Sequence, residues 1–239
     1  MKKSMTKNNN KSYITGALLG LLALTLYFVL PLFENVPYKI FNLDSNTMPE
    51  WFKISYSLLF QFLIVVVIIF VLNKSIKKDF IDIKKNHKEY FSKCLKIYLI
   101  GLGVMMFSNL IINFVLDGGI AENEEAIRKL FEVSPIYVFF TATVFAPVLE
   151  ELVFRRAIKN IFKSDILFVL VSGFIFGGLH VIGSEKLFSD IIHLVPYLSL
   201  GISFAYMLNK ANNIFVPIGF HLMHNGILVT IQFIVLLFG

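Results

Sequence analysis

The sequence predicts an all-α fold, a polytopic transmembrane helical bundle of about seven spans, and three observations predict it. Of 239 residues, 56% are hydrophobic and 16% charged, whereas a soluble domain carries about 25% charged residues. The mean hydropathy is +0.74, and apolar runs of about 20 residues, each enough to cross ~30 Å of hydrocarbon, recur along the chain. The charges gather in the connections between those runs.

The apolar segments fall at about 13–33, 54–73, 96–116, 134–155, 165–182, 190–209 and 214–238. The first follows a basic start, "MKKSMTKNNNKSYITG". It is too long for the apolar region of a signal peptide and no small-residue cleavage site follows, so it reads as a span. The lone Cys94 excludes an internal disulfide framework, and with no histidine beside it in sequence it reads as inert. Between the second and third segments stand eight lysines over residues 74–96, interleaved with Phe80, Ile81, Ile83, Tyr90 and Phe91. An interfacial amphipathic helix and a solvated loop fit that stretch equally. The next connection is acidic, with Asp117, Glu122, Glu124, Glu125 and Glu132 against Arg128 and Lys129. The fifth segment carries Gly173 and Gly177, a small-residue face that lets a neighbouring helix approach closely. The remaining connections hold Arg155, Arg156, Lys159 and Lys163, then "GSEKLFSD", then Lys210.

Basic connections alternate with mixed or acidic ones, so the positive-inside rule places the N-terminus in the cytoplasm. With seven spans the C-terminus lies outside. The net charge of +6 is assigned to flanks that face anionic membrane lipid, not to nucleic acid. The expected location is the cell membrane, multi-pass, and the Lys, Asn, Ile and Phe usage looks bacterial.

A few polar residues remain inside the apolar runs: Glu150, Glu151, Arg155, His180, His193, His221, His224 and Asn225. An ionised carboxylate in hydrocarbon is costly, so each marks a folding role or a chemical one. Glu151 and Arg155 are spaced i, i+4 and form a pair on one helix face, a structural role in the plainest reading. Glu150 points ~100° away from Glu151 and is left free. His193 reads as interfacial, and His224 as a supporting or packing residue. Glu150 and His180 lie ~21–24 Å along the two arms of the hairpin that turns near Ser164, and His221 ~16 Å up the last helix. Three helices thus bring Glu150, His180, His221 and Asn225 towards one layer.

No nucleophile motif and no H-E-x-x-H is present, so what remains is a general base, its partner and two donors. A poorly solvated carboxylate is a stronger base, suited to taking a proton from water. His180 can hold that water. His221 and Asn225 offer N–H groups to a developing oxyanion. The set describes amide hydrolysis inside a membrane. An alternative use of Glu150, His180 and His221 is a zinc site of the His₂Glu type; the metal-free version, with no cofactor, is favoured.

"EELVFR" at 150–155, "FGGLH" at 176–180 and "HLMHN" at 221–225 match in order the motifs EExxxR, FxxxH and HxxxN. In them the chain resembles the CPBP (Abi) family of CAAX proteases and bacteriocin-processing enzymes. The resemblance covers about residues 134–238. It implies a glutamate-dependent intramembrane endopeptidase in a family often catalogued as metalloproteases. In it Glu150 activates water with His180, His221 and Asn225 stabilise the oxyanion, and Glu151 and Arg155 support the first motif. Residues 1–133 then read as three N-terminal transmembrane helices with a cytoplasmic basic loop, and 134–239 as the catalytic transmembrane domain. The expected substrate is a peptide or membrane-protein segment. The rival functions are a non-catalytic membrane scaffold that regulates a partner membrane protein, and a proton-relay transporter.

Overall fold

The computed structural model describes residues 2–44, 47–116, 118–182, 184–185 and 190–238, with residues 2–9 and 11 as backbone only. Most of the connection at 183–190, Asp117 and the side chains of Lys2, Lys3, Lys7 and Lys11 lie outside the described residues. Among those described, helices carry the fold and no strand occurs. Eight are used below: α1 (Lys2–Val29), α2 (Glu50–Val71), α3 (Asn73–Phe114), α4 (Glu122–Val133), α5 (Pro135–Ile161), α6 (Asp165–Leu179), α7 (Ile191–Ala211) and α8 (Phe215–Phe238).

Six helices are long and apolar enough to cross a membrane, and α6 is a shorter apolar seventh. Their outer faces stay apolar: Phe70, Phe107, Ile166, Phe174 and Leu237 are all more than half exposed. That pattern suits a bundle whose solvent is lipid rather than water.

The lysine-rich stretch is not a loop. It is the first half of α3, a single 42-residue helix, ~63 Å long at 1.5 Å per residue. Asp79, Cys94, Tyr98 and Gly101 form its buried stripe, and the eight lysines take the exposed faces. Farther along, Leu99, Met106 and Leu110 take over the exposed side. One helix therefore changes solvent along its length. The acidic connection also holds a helix, α4, with Glu124–Arg128 and Glu125–Lys129 pairs on its outside and Phe131 buried beneath.

The core crosses the expected domain boundary at 133/134. Ala23, Ile64, Ile68 and Leu72 pack with Leu152, Val153, Phe154, Phe168 and Leu208. A second cluster joins Cys94 and Tyr98 of α3 to Phe204, Met207 and Phe220. α6 and α7 approach as the glycines predict. A Cβ on Gly173 would sit 2.6 Å from Ile202 Cγ1, and one on Gly177 would sit 3.0 Å from the Leu198 backbone nitrogen. From α7, Gly201 returns the same close approach against the carbonyl oxygen of Gly173.

An ionic junction ties the basic half of α3 to the ends of α5 and α8. Asp79, 4% exposed, pairs with Arg156, 6% exposed, and accepts from the Ile214 N–H at 2.8 Å. Asn213 Nδ2 donates to the Asp79 carbonyl at 2.8 Å and to Asp82 Oδ2 at 2.9 Å. Each partner satisfies a group that would be costly to bury alone. The sequence reading had left both Asp79 and Arg156 among the solvated flanks.

Candidate active site

Helix α5 carries the first motif, and two π-helical segments interrupt it, Thr141–Phe145 and Glu151–Ala157. Such wider turns leave carbonyls without an ordinary helical donor. In the first, the Ala146 N–H reaches back five residues to Thr141 O. The same spacing would next pair residue 147 with Ala142, but Pro147 has no N–H. Asn225 fills the gap: its Nδ2 donates to Ala142 O at 2.8 Å. In the second segment, Ser172 Oγ on α6 donates to Phe154 O at 2.5 Å. These side-chain bonds fix α5 against its neighbours where the candidate residues lie.

Glu151 and Arg155 form the expected pair. Both side chains are wholly buried, with Nε to Oε2 at 3.2 Å, and the guanidinium lies over the Phe176 ring at 4.4 Å. Glu151 does more than neutralise Arg155. Its Oε1 lies 2.9 Å from His221 Nδ1. A carboxylate can only accept, so Nδ1 donates and the other ring nitrogen, Nε2, points away from Glu151. Nε2 comes to 3.8 Å from Oε2 of Glu150. Phe204 stacks on the same imidazole at 4.9 Å between centroids. His221 is thus clamped between the two adjacent glutamates.

His180 stands at the C-terminal end of α6. Its Nδ1 lies 2.8 Å from Phe176 O, a carbonyl that must accept, so the neutral ring keeps its lone pair on Nε2. Tyr197 stacks on it at 4.6 Å. Glu150, His180, His221, His224 and Asn225 all line one cavity of about 440 Å³, whose wall also includes Met105, Ile127, Leu200 and Leu228. Asn123, Glu124 and Arg128 of α4 line it as well.

All four residues expected to be catalytic share this cavity, while Arg155 and Glu151 sit behind its wall. The histidine within salt-bridge distance of Glu150 is His221, and His180 lines the same cavity. His193, read as interfacial, is 4% exposed and lines the cavity. Its position near the end of an apolar run gave no hint of burial. Tyr98, which bonds His224 at 3.1 Å, was missed as well; its signal was the i, i+4 spacing with the buried Cys94. Among the described residues, no three His, Cys, Asp or Glu side chains group to hold a metal ion.

Residues 132–227 match the family described as Type II CAAX prenyl endopeptidase Rce1-like. A candidate membrane peptidase, YdiL of Bacillus subtilis (strain 168), is 33% identical over 115 residues, 47% of this chain and 43% of that protein. The membrane-embedded CAAX protease MroQ of Staphylococcus aureus (strain USA300) is 27% identical over 191 residues, 74% of this chain and 73% of that one. An uncharacterised protein of Mycoplasma capricolum is 29% identical, over 72% of this chain and 54% of its own length. The chain thus spans about half the length of the Bacillus and Mycoplasma relatives. No solved structure matches it. The three ordered motifs all lie inside the matched segment, residues 132–227, and over that segment the chain is similar to the CAAX protease family.

Proposed function

We propose that the protein is a multi-pass bacterial membrane endopeptidase that hydrolyses a peptide bond in a membrane-associated peptide or protein. The observation that carries this reading is the sorting of hydrogen-bond roles around one cavity. His180 Nε2 and the Glu150 carboxylate are both acceptors on that cavity, and in this reading the attacking water is bound by them. His221, when doubly protonated with Glu151 and Glu150 as its counter-charges, donates from Nε2. Asn225 keeps one amide N–H beyond the one bound to Ala142.

The reaction follows from those roles. Glu150 takes a proton from the water as its oxygen attacks the scissile carbonyl carbon. The carbonyl oxygen gains charge and is met by the His221 and Asn225 donors. The C–N bond then breaks, and the proton held on Glu150 passes to the leaving amine. No metal is used in this sequence. The apolar wall of the cavity favours a substrate segment with apolar side chains. The N-terminus and the basic half of α3 face the cytoplasm in this proposal.

The test is cleavage of candidate peptides by purified protein in nanodiscs, compared with Glu150→Gln, alongside metal analysis and a chelator titration. Turnover that survives chelation and is abolished in folded Glu150→Gln supports the reading. One bound zinc per chain, lost together with activity and restored on re-addition, overturns the metal-free mechanism. Tight capture of a partner membrane protein without any cleavage by wild type favours the scaffold instead.

A further inference from the structure

His224 has no place in the three motifs, yet it stands on the cavity wall beside Asn225. It is 7% exposed, and its Nδ1 lies 3.1 Å from the hydroxyl of Tyr98 on α3, itself 5% exposed. Two proton arrangements could make this bond. If the imidazole donated, the phenol hydrogen of Tyr98 would need an acceptor of its own, and no other bond of that hydroxyl occurs among the described residues. A buried donor without an acceptor is disfavoured, so Tyr98 O–H donates to Nδ1. The ring proton then sits on Nε2, on the edge turned away from Tyr98.

We propose that His224, held by Tyr98, is a substrate-positioning residue whose Nε2–H donates to a backbone carbonyl of the bound peptide beside the scissile one. The inference rests on the endopeptidase reading. His221, His224 and Asn225 follow one another at i, i+3 and i+4 along one side of α8, a rise of ~6 Å from first to last. An extended peptide presents carbonyls of the same orientation about every 7 Å, so a second carbonyl comes within one helical turn of the first. His221 is engaged by two carboxylates and Asn225 by Ala142, whereas the one bond His224 makes among the described residues is to Tyr98. A bond to a carbonyl that does not react is made equally in the ground and transition states, so its loss raises KM and leaves kcat nearly in place.

The experiment uses Tyr98→Phe, which keeps the ring stacked on Phe220 and removes only the hydroxyl, together with His224→Ala and the double variant. The probe is an internally quenched apolar decapeptide, with full-length protein in nanodiscs. Tyr98→Phe is expected to raise KM about 3- to 10-fold with kcat changed less than twofold, and the double variant should match His224→Ala, because Tyr98 acts through His224. Binding of the same peptide, dye-labelled, to Glu150→Gln should weaken by the same factor when Tyr98→Phe is added. A lowered melting temperature with unchanged KM and unchanged peptide binding overturns the proposal, as does additivity of the two changes. If wild type cleaves nothing but the peptide binds and Tyr98→Phe weakens it, the positioning role stands and the endopeptidase reading fails. If no form binds the peptide, both fall.

Discussion

Asn225 serves two ends with one amide group. One N–H closes the backbone gap that Pro147 leaves at Ala142, which fixes the side chain's orientation, and in the proposed reaction the other meets the oxyanion. Pro147→Ala restores a backbone donor near Ala142 and loosens Asn225, so we expect kcat to fall with little change in melting temperature. Asn225→Ala should lower kcat ~10²–10³-fold, the usual effect of losing one oxyanion donor. Glu151 is more demanding. Removing its charge leaves Arg155 buried and unpaired, a cost of about 3–5 kcal/mol, and disturbs His221. Glu151→Leu combined with Arg155→Met removes both charges, so stability should return while activity stays lost, because Nδ1 of His221 has no acceptor. Chemical denaturation and peptide turnover on the single and double variants separate the two roles. The i, i+4 spacing made the Glu151–Arg155 pair legible in the sequence. The Glu151–His221 bond was not, because it joins residues 70 apart on helices whose rotation only packing sets.

At the scale of the element, α3 shows what periodicity carries and what it conceals. Asp79, Ile83, Tyr90, Cys94, Tyr98 and Gly101 keep one helical phase across the lysine-rich stretch. The helix was therefore legible, but eight lysines outweighed its stripe. The span positions were legible from hydrophobicity alone. The π-helical segments of α5 were not, since they answer to the packing of α6 and α8 as much as to local propensity. The ionic junction gives α3 an energetic stake in the site: Arg156 follows Arg155 directly, and Ile214 immediately precedes the helix that bears His221. Asp79→Ala, by stranding buried Arg156, should destabilise by about 3–5 kcal/mol, whereas Lys85→Ala on the exposed face should move the unfolding midpoint very little. Thermal unfolding in one detergent compares them.

At the scale of the whole molecule, the seven apolar helices differ in length, and the shortest of them lies beside the chemistry. α6 has 15 residues and spans ~22 Å, against a hydrocarbon core of ~30 Å. Its outer face is lipid-facing, with Ile166 73% and Phe174 53% exposed, and His180 follows its last residue. Thinning beside it is one way a bilayer accommodates so short an apolar face. The mismatch would draw the headgroup boundary towards His180, bringing water and polar peptide backbone nearer the cavity than the nominal thickness of the membrane allows. Hydrolysis would then respond to acyl-chain length. Reconstitution in lipids with 14-carbon chains should give faster turnover than in lipids with 20-carbon chains, at equal protein stability. Equal rates in both would mean that α6 imposes no such deformation, and that water reaches Glu150 by another route.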